Sequence, residues 1–140
     1  MNNNEETHFH GNVTVKAVMV APTGKVLICR NHHDETTWDL PGGTINDGED
    51  PKDALVREVR EEFGALVVVG RPLAVDSFIK PLTGGQTIVI LFEVLYPTEE
   101  KHFSLQETEI AEMRWVSIED LATIDMFPEY KNALEAYFGA

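Results

Sequence analysis

The clearest structural signal in the sequence is a helix that begins after Asp50 and ends before Gly64. Asp50 suits the N-cap, Pro51 suits the first helical position, and Asp53 adds negative charge to the first turn. Gly64 is the residue type that most often follows the last turn of a helix. Four apolar residues recur at helical spacing, namely Leu55, Val56, Val59 and Phe63. We therefore expect an amphipathic helix here, with its apolar arc facing the core.

Apolar stretches rich in β-branched residues lie on both sides of this helix and predict strands. In chain order, the predicted strands cover residues 13–21, 25–30, 36–40, 67–79 (as one strand or two), 87–96 and 109–116. The turn sequence Pro22-Thr23-Gly24 predicts a hairpin between the first two strands. A capped helical turn is expected over 117–121 and a terminal helix over 128–138. Mixed strands with two flanking helices predict an α/β layered domain.

The length of 140 residues suits one compact domain over residues 11–140, preceded by a flexible polar lead-in over residues 1–10. No apolar run reaches the roughly 20 residues that a membrane-spanning helix needs. The polar, acidic start does not resemble a secretory signal. Cys29 is the only cysteine, so no intrachain disulfide can form. Together these features predict a cytoplasmic protein that does not associate with membranes.

The formal net charge of −13 argues against tight binding to long nucleic acid, which requires a basic surface. It does not exclude a nucleotide or another small anion as ligand. A divalent cation can bridge an acidic protein and an acidic substrate, because the cation reverses the local charge.

Three carboxylates on the predicted helix form a candidate metal site. Glu58, Glu61 and Glu62 stand at positions i, i+3 and i+4, which places them on one arc of a helix. Such carboxylates repel each other unless a cation lies among them, and Mg²⁺ or Mn²⁺ prefers oxygen ligands. Arg57, four residues before Glu61, can pair with it. On the glutamates alone, a solvated acidic helix face is the simpler interpretation.

The residues that frame these glutamates change the interpretation. Gly43, Glu49, Arg57-Glu58, Glu61-Glu62 and Gly64 occupy the fixed positions of Gly-x5-Glu-x7-Arg-Glu-U-x-Glu-Glu-x-Gly-U, where U is a bulky aliphatic residue. This pattern resembles the Nudix box. The segment Trp38-Asp39-Leu40-Pro41-Gly42-Gly43 also looks like the stretch that precedes the box in that family. One position departs from the pattern, because Ala65 stands where the family usually has Ile, Leu or Val.

The resemblance implies an α/β/α sandwich with a mixed sheet between helices. It also implies hydrolysis of a nucleoside diphosphate that is linked to another group, with Mg²⁺ or Mn²⁺ as cofactor. Glu58 and Glu62 would be the main metal ligands, and Glu61 would be a ligand or a proton acceptor. The carbonyl of Gly42 or Gly43 would complete the metal shell.

The resemblance further implies that Arg57 orients a glutamate and that Glu49 braces the loop before the helix. In some members of the family the general base is a glutamate that precedes a late tryptophan. Glu109, six residues before Trp115, is the candidate here. Glu107 and Glu112 are its rivals, and a plain surface carboxylate is the alternative for all of them.

Substrate-contacting residues are less strongly indicated. Arg30 ends the second predicted strand and is a candidate for phosphate contact, with a surface ion pair as the alternative. Trp38 or Phe78 can stack on a nucleobase, although a core position is the simpler interpretation of either ring. Pro81 lies sixteen residues after Ala65 and resembles a marker of ADP-ribose pyrophosphatases, although a turn also accounts for it.

Three functions follow from these observations. A MutT-like pyrophosphohydrolase of a nucleoside triphosphate or related nucleotide accords with the short chain. An ADP-ribose or nucleotide-sugar pyrophosphatase accords with Pro81. A non-catalytic module that senses a nucleotide is disfavoured because every carboxylate of the box is present. The partner predicted in each case is a small nucleotide, and a homodimer is possible if the apolar strand 87–96 forms an interface rather than core.

Overall fold

The computed structural model describes residues 7–81 and 83–139. In chain order, its elements are β1 (Asn12–Met19), β2 (Val26–Asn31), β3 (Asp34–Asp39), β4 (Gly42–Thr44), α1 (Pro51–Phe63), β5 (Val68–Ile79), β6 (Gln86–Leu95), β7 (Ile110–Val116) and α2 (Pro128–Gly139), with short 3₁₀ helices at Glu100–His102 and Ile118–Thr123. Residues 1–6 of the predicted lead-in lie outside the described residues. No helix among those described is long and apolar enough to cross a bilayer.

The strands form two sheets. The larger sheet has the order β4-β1-β6-β5, in which β1 and β6 run parallel and the other neighbours run antiparallel. The smaller sheet has the order β3-β2-β7 and is antiparallel throughout. Because β1 and β6 are parallel, the chain between them must make a long crossover, and that crossover contains α1.

The strand layer is buried on both faces, and each face packs against one helix. Alternate residues of β6 divide between two core clusters, since Val89 and Leu91 face one and Phe92 and Val94 face the other. The first cluster contains α2 residues such as Tyr130 and Leu134, and the second contains the α1 residues Ala54, Leu55, Val59 and Phe63. The mixed sheet therefore lies between helices, which confirms the predicted α/β/α sandwich.

The strand β6 is core rather than surface. It has β1 on one side and β5 on the other, so both of its edges are paired. Residues 87–96, which could have been either core or an interface, therefore belong to the core. A homodimer stays a prediction.

Helix α1 begins and ends as its sequence predicts. The Asp50 side chain accepts hydrogen bonds from the backbone N–H groups of Lys52 (3.0 Å) and Asp53 (3.3 Å). Gly64 ends the helix in the left-handed conformation, with φ of 65°. Ala65, the one departure from the box pattern, is fully buried, so the core accommodates a small side chain there.

The predicted hairpin between the first two strands is wrong. The two segments meet only at the turn, where Val20 bridges Val26 and the Ala21 N–H donates to the Lys25 carbonyl. Beyond that point the strands diverge into different sheets, because β4 and β6 already satisfy the backbone of β1. The short strand β4 was not predicted, since Pro41-Gly42-Gly43 has the composition of a turn.

The cap of α1 gives a test of how much local structure contributes to stability. Asp50→Ala removes the acceptor of two backbone N–H groups and is expected to lower the free energy of unfolding by about 1 kcal/mol. Asp50→Asn keeps an acceptor and should cost only roughly 0.3 kcal/mol through the lost charge. Urea unfolding of both variants measures the difference, and equal losses would contradict a capping role.

Candidate active site

A cavity of about 870 Å³ is lined by residues of β1, β4, β5, α1 and α2, and by residues just before β7 and α2. At one end it is lined by Glu58 and Glu62 of α1, by the backbone of Gly42 and Gly43, and by Glu109. The cavity therefore brings two carboxylates of the predicted metal site together with the predicted general base.

Arg57 links the loop before α1 to the acidic face of the helix. Its guanidinium donates two hydrogen bonds to Glu49, from Nε at 2.8 Å and from Nη2 at 2.9 Å. Its Nη1 donates to Glu58 Oε1 at 2.9 Å and to Glu61 Oε2 at 3.3 Å. The hydrogen bonds from Arg57 lower the pKa of Glu49 to about 2. Arg57 thus orients Glu58, and Glu49 holds Arg57 in place.

Glu58 is packed against the glycine turn. Its side chain is 15% exposed, and a Cβ added to Gly43 would lie 2.6 Å from the Glu58 carboxyl carbon. Any side chain at position 43 would therefore displace the carboxylate. Burial raises the pKa of Glu58, and the hydrogen bond from Arg57 opposes that rise.

Glu62 is the most deeply placed carboxylate of the three on the helix. The residue is 5% exposed, and its Oε1 accepts a hydrogen bond from the Gly42 N–H at 2.9 Å. Gly42 has φ of 137°, and a Cβ there would lie 2.0 Å from the Val15 carbonyl oxygen, so only glycine fits. Burial raises the pKa of Glu62 to about 8, although the Lys16 ammonium and the Gly42 N–H oppose the rise.

Glu61 differs from its two neighbours. Its side chain is 52% exposed, its hydrogen-bond partner is Arg57, and it does not line the cavity. The role of Glu61 as metal ligand or proton acceptor stays a prediction.

The donor set suits a hard divalent cation. Glu58 and Glu62 contribute carboxylate oxygens beside the Gly42-Gly43 backbone, and Mg²⁺ is commonly held by one or two carboxylates, waters and substrate phosphates. Within residues 7–81 and 83–139, no three His, Cys, Asp or Glu side chains are grouped as a metal cage. A buried carboxylate with a raised pKa fits a cation nearby, because a positive charge would offset the cost of its burial.

The cavity also contains a buried ion pair that the sequence analysis did not identify. Lys16 is 6% exposed, and its Nζ donates to Asp39 Oδ2 at 3.0 Å and to the Leu40 carbonyl at 3.3 Å. Burial alone would lower the pKa of Lys16, but the neighbouring acidic groups, led by Asp39 and including Tyr130 and Glu62, outweigh it and the pKa is raised. The sequence offered only a weak signal, a single lysine among the apolar residues of β1.

The aromatic wall of the cavity comes from β5 and the segment before α2. Phe78 and Phe127 stack with ring centroids 5.2 Å apart and an interplanar angle of 29°. Phe127 remains 41% exposed. Tyr130 and Pro81 line the same cavity. Phe78, one of the two rings considered for base stacking, thus lies in the cavity wall.

Arg30 and Trp38 are placed differently from the other candidates, since neither lines this cavity. Arg30 pairs with Glu112, and its guanidinium carbon lies 4.8 Å from the centroid of the Trp38 ring. Trp38 is 8% exposed and borders a smaller neighbouring cavity of about 140 Å³. Contact of either residue with substrate stays a prediction.

Among the three candidates for general base, Glu109 is the one that lines the cavity. Glu112 is engaged by Arg30 and Arg114, and Glu107 lies on the exposed turn before β7. The geometry therefore favours Glu109 over its rivals, while the catalytic role itself stays a prediction.

Comparison with known proteins identifies the family. The family model for the NUDIX domain matches residues 11–137. The chain belongs to the Nudix hydrolase family. Members of this family act on nucleoside triphosphates and their derivatives, and they generally use divalent metal ions.

Individual relatives agree with this assignment. The chain is similar to the nucleoside triphosphatase NudI of Enterobacter sp. (strain 638), at 29% identity over 81% of this chain and 87% of that protein. It is also similar to the CTP pyrophosphohydrolase of Escherichia coli (strain K12), at 28% identity over 89% of this chain and 90% of that protein. The crystal structure of the MutT protein from Methanosarcina mazei Go1 superposes with a TM-score of 0.79, at 28% identity over 96% of this chain and 97% of that one.

The raised pKa of Glu62 in this Nudix chain predicts a pH-dependent stability of the metal-free protein. Its carboxyl binds a proton more tightly when folded than when unfolded, so its contribution to stability is full below the ordinary pKa of 4.5. That contribution is lost as the pH rises from 4.5 towards 8. Glu62→Gln cannot titrate and should lack this loss. Chemical unfolding with a chelator present, repeated across this pH window, measures the difference, and parallel curves for the two proteins would contradict the raised pKa.

Proposed function

We propose that this chain is a metal-dependent, MutT-like pyrophosphohydrolase that cleaves a phosphoanhydride bond of a nucleoside triphosphate or a related nucleotide. The observation that carries the proposal is the convergence of Glu58, Glu62 and Glu109 on one cavity, beside a turn that admits only glycine. The named activities of the nucleoside triphosphatase and CTP pyrophosphohydrolase relatives, which match along most of their length, support a triphosphate substrate.

In this proposal Glu58 and Glu62 hold Mg²⁺ or Mn²⁺, with the carbonyl of Gly43 as a further ligand. When bound, the cation neutralises the diphosphate and stabilises the charge that develops as the bridging bond breaks. Arg57 keeps Glu58 pointed into the cavity through the 2.9 Å hydrogen bond. Arg57 is thus a positioning residue, and Glu49 restrains it in turn.

Glu109 is proposed to act as general base. Its carboxylate accepts a proton from the water that attacks phosphorus, and the leaving group departs as pyrophosphate or phosphate. Two backbone hydrogen bonds fix the position of the residue, from the His32 N–H to its carbonyl (2.9 Å) and from its own N–H to the Gln106 carbonyl (3.0 Å). A side chain on such a restrained backbone can approach the same point in each catalytic cycle.

A second candidate function is hydrolysis of ADP-ribose or a nucleotide sugar. Pro81 motivates it, because this residue lines the cavity together with Lys80. A non-catalytic sensor is a third candidate. Side-by-side kinetics with nucleoside triphosphates and ADP-ribose, and calorimetry for binding without turnover, distinguish the three.

Removing either cavity carboxylate tests the proposed metal site. Glu58→Gln and Glu62→Gln are each expected to lower kcat by about a hundredfold or more, the scale seen when a group that stabilises transition-state charge is lost. Both should also weaken Mn²⁺ binding measured by calorimetry. Asp53→Asn, an exposed acid on the same helix, is the matched control and should change neither quantity. Unchanged Mn²⁺ binding in both cavity variants would refute the proposal.

Glu109→Gln tests the proposed base. It is expected to lower kcat by a factor of about 10² or more with little change in KM. Glu107→Gln, at an exposed position two residues away, should leave both unchanged. A kcat in Glu109→Gln close to that of the wild-type protein would exclude Glu109 as the base.

A further inference from the structure

A second cavity lies at the far end of β6. Its volume is about 950 Å³, close to the 870 Å³ of the active-site cavity and within the range typical of small-molecule sites. Ile79, which lines the active-site cavity, pairs with Gln86 at the start of β6, whereas Leu95 at the end of β6 lines the second cavity. At about 3.3 Å per residue, Leu95 lies roughly 30 Å from Gln86 along this strand. Among the described residues, the two cavities have no lining residue in common.

Both sheets contribute to the wall of the second cavity, which is mostly apolar. Val68 and Leu95 come from the larger sheet, Trp115 comes from the smaller one, and Pro22 comes from the turn between β1 and β2. Val68 is 58% exposed and Leu95 is 67% exposed. Apolar side chains that meet water around a concave surface gain free energy when a ligand covers them. The cavity therefore favours a ligand with an apolar body.

Two aromatic rings belong to this wall. Tyr96 and Trp115 both line the cavity and are half-buried, and their ring centroids lie 5.8 Å apart at an interplanar angle of 38°. Such rings offer a large flat contact area, and the negative charge of their faces attracts cations. The aromatic part of the wall therefore suits either another ring or a cationic group.

The charged side chains of this wall are acidic. Glu99 and Glu100 line the cavity, and no lysine, arginine or histidine among the described residues does so. Lys101 pairs with Glu99 at 3.2 Å, whereas Glu100 has no ion-pair partner in the part of the chain that the structure describes. Burial raises the pKa of Tyr96, and the charge of Glu100 adds to the rise, so the potential of that carboxylate reaches the aromatic rings. The cavity is therefore electrostatically matched to a cation.

We propose that the second cavity is a binding site for a small molecule that joins an aromatic or apolar body to an ammonium or guanidinium group. The body covers Val68, Leu95 and Pro22, and the cation lies between the Tyr96 ring and the Glu100 carboxylate. A nucleotide does not suit this cavity, because its phosphates would meet carboxylates and no cationic side chain of the described residues. The site therefore differs in chemistry from the proposed nucleotide site and does not depend on it.

A set of compounds with the same ring separates the contributions of the body and the charge. Tryptamine, tryptophol and indoleacetate are titrated into the intact protein, and the indole N–H signals of its two tryptophans are followed by NMR. The Trp38→Phe variant identifies the signal of Trp115. Tryptamine is expected to shift the Trp115 signal saturably, with an affinity about fivefold or more above that of tryptophol, and indoleacetate is expected to bind more weakly than either. Equal affinities of tryptamine and indoleacetate, or no saturable shift of Trp115 with tryptamine, would overturn the proposal.

A charge introduced at an exposed position tests where the compounds bind. Leu95→Lys places a cation on the wall of the second cavity, so the affinity for tryptamine is expected to fall by about tenfold and the affinity for indoleacetate to rise. Val75→Lys is the matched control, because Val75 is 68% exposed on the neighbouring strand and does not line the cavity. It should leave both affinities unchanged. The same loss of tryptamine binding in both variants would show a general effect of charge and would overturn the proposal.

The contribution of the acidic wall is tested by removing one charge. Glu100→Gln keeps the size of the side chain and is expected to reduce the preference for tryptamine over tryptophol to about twofold or less. Glu107→Gln, which alters an exposed acid outside the cavity, should retain the full preference. An undiminished preference in Glu100→Gln would contradict the proposed cation site. Nucleotide hydrolysis measured in parallel reports on the proposed function alone, so the two proposals can fail independently.

Discussion

The acidic end of the cavity depends on one guanidinium group. Glu49, Glu58 and Glu61 all accept hydrogen bonds from Arg57, which therefore lies among three carboxylates that would otherwise repel each other. The planar fork of an arginine can bind one carboxylate with two parallel hydrogen bonds and still reach others, which a lysine cannot do. Because Glu49 belongs to the loop and Glu58 to the helix, the same group fixes the loop on the helix and directs a carboxylate into the cavity.

The glycine turn adds a steric constraint to this electrostatic one. Gly42 and Gly43 belong to β4, which pairs with β1 at the edge of the larger sheet. Backbone and carboxylates approach so closely there that a single Cβ at either position would collide, with a β1 carbonyl in one case and with Glu58 in the other. The Gly42 N–H then binds Glu62. The sheet and the helix are therefore joined through the site itself, so the positions of both carboxylates follow from the fold.

The features that could be predicted from the sequence are those set by interactions between residues close together in the chain. The ends of α1 depend on Asp50 and Gly64, which act within a few residues, and both ends agree with the structure. The predicted hairpin is wrong because β1 pairs with β6, which lies about seventy residues further along the chain. The ion pair of Lys16 with Asp39 joins residues 23 apart in the sequence, so no local pattern indicates it. The box pattern predicted the carboxylates of α1. It does not include Lys16 or Asp39, which line the same cavity.

The position of Lys16 connects the two ends of the cavity. The carboxylates of Asp39 and Glu62 both raise its pKa, so one buried cation offsets the burial of acids on either side. Such a charge is retained only where its partners remain in place, since removing one partner of a buried pair leaves the other uncompensated. A substitution at Asp39 is therefore expected to alter the electrostatic environment of Glu62 through Lys16. The carboxylates of Asp39 and Glu62 are therefore not electrostatically independent of each other, because the same ammonium contributes to the environment of both.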